Sequence, residues 1–426
     1  MKRKTDARAE MRLQKNFLFS RASPRSQRMI QNIYPTVRLR PNAAAQAIRQ
    51  GFPWIYNNEL VLDRRSKKLP AGSVVIVEDS ERRPIGLGGI NPESKIAVRI
   101  LDRNIEAEID QIWFSKRLTA ALQLREVLFE QPFYRLVHAE ADGMPGVVID
   151  RFGSLAVVQP NAAWAEMRLA ALSQALLEIE GITSVLKNAG GRSRALEGLD
   201  SQSDILIGER PETTVDVPMN GAVYKADLIS GQKTGLYFDQ RPNHAFVASL
   251  AKGRKVLDVF SHVGGFSLAA LAAGAQSSLA VDGSEAALEL AMQGAVTSGV
   301  VDKFEIQKGD AFAQLSALAG AGEKFGLVIC DPPAFASSKP ALEAGLRAYE
   351  KVARLAAHLV EEGGFLVLCS CSHAADLVKF RTACNRGIGR AGRAAQLVHT
   401  GFAGADHPLH PQLAESGYLK ALFYRL

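Results

Sequence analysis

The chain has 426 residues, 47% hydrophobic and 22% charged, with a formal net charge of +7. That length allows two or three domains, each burying its own core, and no run reaches the ~18 apolar residues of a membrane span, so membrane insertion is not expected. The modest basic excess fits an anionic partner such as nucleic acid without requiring one.

Cys330, Cys369, Cys371 and Cys384 are the cysteines, all in the last quarter of the chain. That clustering is not a disulfide framework and points to a reducing, cytoplasmic setting. The N-terminus lacks the continuous apolar core of a secretory signal.

Residues 1–33 are rich in Lys and Arg and poor in acids. A solvated tail, an RNA-touching arm and an organellar transit peptide all fit that composition. From Pro35 to Asp102, the β-type runs TVRLR, SVVIVED, PIGLGGI and KIAVRIL alternate with glycine and proline turns, as in a small barrel or sandwich. The aromatic residues of GFPWIYNNEL are expected to pack in a core rather than stack on bases. The order of features, LRPNAAAQAIRQGFPWIYNNEL followed by GSVVIVEDSERRPIGLGGINPESKIAVRIL, resembles a PUA domain. The resemblance implies an RNA-binding β-barrel over residues 34–105.

The next stretch, IDQIWFSKRLTAALQLREVLF, has apolar residues at helical spacing, with Trp113 and Phe114 on the core face. YRLVHAEADGMPGVVIDRFGSLAVVQP reads as a hairpin turned at DGMPG, a helix starts near Ala165, and ITSVLKN reads as a strand. Residues 106–215 are therefore expected to form an α+β middle domain. A hairpin turned at Asn220-Gly221 then leads through the ISGQKTG loop to a helix starting at DQRPN. From Lys255 strands and helices alternate as far as the final YLKALFYRL. This predicts an α/β fold over residues 216–426: a doubly wound parallel sheet with helices on both faces.

Ligands of such sheets collect at the carboxyl ends of the strands. VLDVFSHVGGF places Gly264 and Gly265 where strand turns to helix, open to close approach by a ligand, and it is not the GxGxxG of a dinucleotide site. The next strand ends at Asp282, about where an acid would accept from ribose hydroxyls, and the following one at Asp310, a candidate acceptor for an adenine amino group. A turn-forming Asp is the plainer alternative for each. Glycine, acid and acid on successive strand ends describe an adenosine pocket without a phosphate cradle, which suits S-adenosylmethionine better than NAD. FGLVICDPPAFASSK ends its strand at Asp331, with Pro332 and Pro333 stiffening the turn. GGFLVLCSCSH puts Cys369 and Cys371 on one face of a strand end, where a cysteine is either inert core or a nucleophile. Cys369 is expected to be core. No CxxC or ordered histidine spacing accompanies these cysteines, so a metal site is not expected.

Together, VFSHVGGFSLAALAAGA, VDGSEAALELA, CDPPAFASSK and VLCSCSH resemble the class I S-adenosylmethionine-dependent RNA cytosine-C5 methyltransferases that act on large-subunit ribosomal RNA. The likeness extends to RLVHAEADGMPGVVIDRFG, GQKTGLYFDQR and ADHP, leaving only the basic arm outside. It implies Cys371 as nucleophile and Asp331 as the acid of the DPP motif. Phe260, Ser261, Gly264, Gly265, Phe266, Asp282, Gly283, Asp310, Ala311 and Asp331 fall on the cofactor loops. Lys233, Thr234, Asp239, Gln240 and Arg241 fall on a strip bordering the cofactor pocket, and Pro332, Pro333, Phe335 and Ser372 fall around the target base. Two positions depart from the family pattern: Ala334 stands where Lys often follows DPP, and His373 where a small residue is usual. Ribosomal RNA as substrate and a homodimer are further implications of the resemblance.

The chemistry implied is covalent: Cys371 adds to C6 of cytosine, while Asp331 assists at N3. Two other readings fit the same residues. One is methylation of a base nitrogen, guanine N7 or an exocyclic amine, although those motifs usually place the aromatic directly after the prolines, where Ala334 intervenes. The other is an RNA-binding ribosome assembly factor with a vestigial pocket.

Overall fold

The computed structural model describes residues 34–211, 214–229 and 235–426. The basic run at residues 1–33 and the loop residues Lys233 and Thr234 lie outside the described residues. Five strands, β1 (Thr36–Arg38), β2 (Trp54–Tyr56), β3 (Val74–Glu78), β4 (Pro84–Ile90) and β5 (Ile96–Asp102), form the first sheet, in the order β1-β3-β4-β5-β2. Successive side chains of a strand face opposite ways, so Val75 and Val77 enter one core with Val37, Ile55 and Val98. Val74 and Ile76 enter a second core with Trp113, Phe114 and Trp164. This sheet is buried on both faces, which is why SVVIVED is continuously apolar rather than alternating.

That second core continues into the middle domain. Helix α1 (Gln111–Leu128) and helix α2 (Leu169–Leu177) pack with β6 (Phe133–His138), β7 (Val147–Phe152), β8 (Leu155–Pro160), β9 (Ser184–Lys187) and β10 (Asp204–Ile207), ordered β10-β9-β8-β7-β6. Asp110 starts α1 by accepting from the Trp113 N–H at 2.9 Å, a helix N-cap. Trp113 and Phe114 meet Trp164 at centroid distances of 5.9 and 6.0 Å.

The hairpin β11 (Val215–Met219) and β12 (Ala222–Ala226) turns at Asn220 and Gly221, both with positive φ. After α3 (Arg241–Ala251) come β13 (Lys255–Val259), α4 (Gly265–Ala272), β14 (Ser277–Asp282), α5 (Glu285–Thr297), β15 (Phe304–Lys308) and α6 (Ala311–Gly320). The chain then continues through β16 (Phe325–Cys330), α7 (Leu342–Leu359), β17 (Val360–Ser370), α8 (Leu377–Arg390), β18 (Gln396–Gly401) and β19 (Lys420–Arg425). The sheet order is β15-β14-β13-β16-β17-β19-β18, so strand order reverses between β13 and β16. A crevice opens at the carboxyl ends of strands at such a switch point. The α/β fold expected from the sequence is present, with one correction. The sheet is mixed, because β19 runs antiparallel to both β17 and β18. The segment 402–419 returns the chain along the carboxyl edge without a crossover helix, and only a crossover would bring β19 in parallel. Among the described residues no helix is long and apolar enough to cross a membrane.

A buried clasp joins the middle and C-terminal domains. Arg125, fully buried, makes a bidentate pair with Asp142 at 2.7 and 2.8 Å and donates to the Asp406 carbonyl at 3.0 Å. Asp406 in turn accepts from the Arg135 N–H at 3.0 Å and pairs with the His407 ring at 2.9 Å. This places the ADHP segment as a domain joint. Removing one member of a buried ion pair leaves its partner uncompensated, at about 3–5 kcal/mol. Arg125→Ala is therefore expected to lower the unfolding free energy by about that amount. Urea denaturation followed by circular dichroism measures it.

Candidate active site

The β13–α4 turn adopts left-handed backbone at three positions: Phe260 (φ 64°), His262 (φ 51°) and Gly264 (φ 77°). Non-glycine residues pay about 1–3 kcal/mol each for such a conformation and keep it only where surroundings impose it. Here β14 imposes it. The N–H groups of Phe260 and Ser261 donate to the Val281 carbonyl at 2.9 and 3.1 Å, and His262 N–H donates to Asp282 Oδ2 at 2.9 Å. Asp282 also accepts from Ser284 N–H, at 2.8 Å.

This turn forms one wall of a cavity of about 480 Å³ at the switch point. Phe260, Ser261, Gly265, Phe266, Asp282, Asp239, Gln240, Asp331, Pro332, Pro333 and Cys371, all named by sequence reasoning, line it together. Tyr237, His244, His262 and Leu419 line it as well and were missed. His244 directly follows the DQRPN segment and Tyr237 lies two residues before it, but a lone His or Tyr carries no spacing that marks a pocket residue. His244 is nearly fully buried under Gly265, where an added Cβ would come 2.7 Å from the imidazole. That contact explains the second glycine of HVGGF. Burial holds His244 neutral, its pKa lowered to about 3.

The remaining named residues are placed differently. Asp310 does not line the cavity; its carboxylate caps α6, accepting from Ala313 N–H at 2.9 Å, the turn-forming role given as the alternative. Ala311 is buried in that helix, Gly283 is exposed, and Gly264 makes the turn without lining the space. Arg241 reaches back to the middle domain, donating to the Phe133 carbonyl with its guanidinium 4.3 Å from the Phe129 ring. Phe335 stands outside the lining, in an aromatic cluster 5.0 Å from Tyr349. Ser372 is fully buried and bonded to the Tyr349 hydroxyl at 2.6 Å and Ala336 N–H at 2.9 Å. Its place is behind the wall.

Two networks hold Asp331 and Cys371. Asn243 donates to Gln240 Oε1 at 2.6 Å, and Gln240 Nε2 donates to Asp331 Oδ2 at 2.9 Å. The amide orientation of Gln240 is thereby fixed, with its NH2 toward the carboxylate. Cys371 is half-buried between residues that are tied down. Ser370 donates to the Tyr349 hydroxyl at 2.9 Å, and the buried Lys420 ammonium donates to the Ser372 and Ala375 carbonyls at 2.7 and 2.8 Å. Burial lowers Lys420 to about 8, opposed by the nearby Cys371 and Asp376. Cys330, Cys369 and Cys384 are buried with thiols pushed up by burial, the inert state of core cysteines.

The lining residues fit S-adenosylmethionine. Asp239, Asp282 and Asp331 are carboxylates, and no Lys or Arg is among the described lining residues. That favours a cationic ligand over a phosphate-bearing one. Asp239 Oδ1, His244 Nδ1 and Ser261 Oγ, on residues that line this space, are buried and have no hydrogen-bond partner among the described residues. Buried polar atoms are rarely left so, and a ligand carrying amine, carboxylate and hydroxyl groups supplies what they lack. Beneath them Asp258 is wholly buried and accepts at Oδ2 from the Ser267 N–H and hydroxyl at 3.0 and 2.9 Å.

Burial raises the Asp258 carboxyl from 3.8 to about 7. A folded pKa above the unfolded one means that the native state holds the extra proton between those values. Its contribution to stability is then present at low pH and lost as pH rises through about 7. Asp258→Asn should remove this loss, on the order of 3 kcal/mol between pH 4 and 8. Thermal denaturation of both proteins across that range reads it, and parallel curves would exclude the buried carboxyl as the cause.

Residues 37–103 match the PUA-like domain family, and residues 166–425 match the S-adenosylmethionine-dependent methyltransferase family. The chain is 33% identical over 385 residues to ribosomal RNA large subunit methyltransferase I of Erwinia tasmaniensis, covering 89% of this chain and 97% of that protein. It is 34% identical over 380 residues to the protein of the same name from Photobacterium profundum, covering 88% and 95%. A Streptococcus mutans structure described as a SAM-dependent methyltransferase superposes with a TM-score of 0.77 over 92% of this chain and all of that one, at 17% identity. A second solved methyltransferase, complexed with SAH, superposes equally well, at 18% identity. With a cavity at the switch point that suits the cofactor, and with these matches along nearly its whole described length, the chain belongs to the S-adenosylmethionine-dependent methyltransferases, in the family of the ribosomal RNA large subunit methyltransferase I proteins.

Proposed function

We propose that the chain methylates carbon 5 of a cytosine in large-subunit ribosomal RNA, with Cys371 as a covalent nucleophile. Ribosomal RNA is the substrate named for its relatives. The observation that carries the choice of carbon 5 is the position of Cys371. Of the four cysteines it alone lines the cavity, which it shares with Asp331, on a turn held from both sides.

Carbon 5 of cytosine is a weak nucleophile, and covalent addition at C6 activates it. The Cys371 thiolate forms a bond to C6, the displaced electron pair moves toward C5 and N3, and Asp331 hydrogen-bonds or protonates N3. S-adenosylmethionine, when bound, supplies an electrophilic methyl group to the activated carbon. Loss of the C5 proton and cleavage of the S–C6 bond then return the thiolate and leave 5-methylcytosine. Gln240 fixes the Asp331 carboxylate for this task. Lys420, through the two carbonyls after Cys371, fixes the turn and places positive charge near the thiol, which favours the thiolate. The target base must leave its stack to reach the cavity.

Ribosomal RNA fragments bearing 5-fluorocytidine test the mechanism, since fluorine cannot leave as the C5 proton does. The wild-type protein should form a methylation-dependent RNA adduct that survives denaturing gels, and Cys371→Ala should form none. On ordinary RNA that variant should lose about 10³-fold or more in rate, as expected when a nucleophile is removed. Full methyl transfer by Cys371→Ala, or a methylated guanine in nuclease digests, would overturn the proposal.

A further inference from the structure

A second cavity, of about 750 Å³, lies on the outer face of the C-terminal domain between α7 and α8. Arg347, Lys351 and Arg354 line it from α7, and Arg386 and Arg390 from α8. All five are exposed. Their spacings, four and three along α7 and four along α8, place each set on one face of its helix.

Three features set this trough apart from an ordinary solvated face. The two helices carry seven Lys and Arg against two Glu, whereas the whole chain has 51 against 44. The two helices are thus far more basic than the chain as a whole. The helices also approach closely, since a Cβ at Gly387 would meet the Ala353 Cβ at 2.7 Å. That approach brings the cations of both into one concavity, where a low-dielectric wall strengthens their common field. Finally, Glu350 lies buried in the floor and pairs with Arg390 and, at 3.7 Å, Arg386. It orients these guanidinium groups while the cations still outnumber the carboxylates.

The helices that form the trough begin near the turns that line the cavity. Helix α7 follows the Asp331–Pro333 turn and α8 follows Cys371, and Tyr349 of α7 bonds Ser372 and packs on Phe380 of α8 at 4.9 Å. We propose that this groove is an RNA phosphate-binding track, which holds sugar-phosphate backbone of the substrate RNA away from the target nucleotide while the base occupies the cavity at Cys371. The proposal rests on the reading of ribosomal RNA as substrate. Guanidinium groups presented in a fixed concavity suit bidentate contact with successive phosphates.

The test pairs Arg347→Gln/Arg354→Gln with Arg347→Glu/Arg354→Glu, sites that leave the Glu350 pairs intact. A charge reversal at exposed Lys303, beside the far edge strand β15, serves as control. Binding of a large-subunit ribosomal RNA fragment is followed by fluorescence anisotropy against salt, without turnover. The expected result is about tenfold or more weaker binding in the Glu variant and an intermediate loss in the Gln variant. The log–log salt slope should fall by about 0.7–0.9 for each phosphate contact removed. Cofactor binding by calorimetry and the rate at saturating RNA should stay near wild type. Unchanged affinity and slope with cofactor binding intact would overturn the proposal, as would a loss equal to that of the Lys303 control. A change in sedimentation alone, with RNA binding unaltered, would overturn it in favour of self-association. Groove-dependent binding without methylation of any cytosine would instead sink the functional reading and leave the track standing.

Discussion

The C-terminal domain depends on one carboxylate holding a strained turn. Asp282 takes the His262 and Ser284 N–H groups at once, so the end of β14 grips both the β13–α4 turn and the start of α5. The left-handed conformation of His262 is held in part by that carboxylate, and that of Phe260 by the neighbouring Val281 carbonyl. Their conformation sets the cavity wall, turning Ser261 inward and leaving Gly265 against His244. Asp282 therefore acts as a structural rivet with lone pairs to spare, and its place at a strand end serves both purposes.

The electrostatics of the cavity follow from what is kept out of it. Three carboxylates line it, no described basic side chain does, and His244 is held neutral by burial. The basic groups nearby are turned elsewhere: Arg241 to the middle domain, Lys420 to backbone carbonyls behind Cys371. Segregation of this kind leaves a negative field where a cationic cofactor belongs. It also keeps the Lys420 ammonium behind the turn that carries Cys371, bonded to backbone carbonyls and outside the cavity lining.

Much of this was legible in the sequence because the parallel strands are largely buried and are followed at once by residues that turn the chain. The runs ending at Val259, Asp282 and Cys330 show this. The cavity residues at those ends are local in sequence, so a linear reading finds them. Asp310 looked equivalent, yet its carboxylate was satisfied by the first turn of α6, and a capping Asp and a ligand-binding Asp have the same sequence context. Arg241 and Ser372 lie in the right motifs, but their side chains turn away from the cavity, a matter of one rotamer or one residue of register. Tyr237, His244 and Lys420 were missed for the opposite reason. Their roles arise from contacts with residues far along the chain. The antiparallel β19 was hidden because a buried strand paired on both sides reads alike in either direction.

The middle domain is more than a spacer, and the 402–419 segment shows why. Asp239, a residue of the cavity lining, is held at Oδ2 by the Tyr418 hydroxyl at 2.6 Å and at its carbonyl by Gly404 N–H at 2.9 Å. Both partners belong to the segment between β18 and β19. That segment is itself anchored at Asp406 by Arg125 and Arg135 of the middle domain. One continuous set of hydrogen bonds thus runs from a buried arginine outside the methyltransferase sheet to a carboxylate lining the cofactor cavity. The apolar core on the far side of the middle domain is shared with the PUA-like barrel. The three domains are coupled mechanically because each buries polar or apolar groups that only its neighbour satisfies.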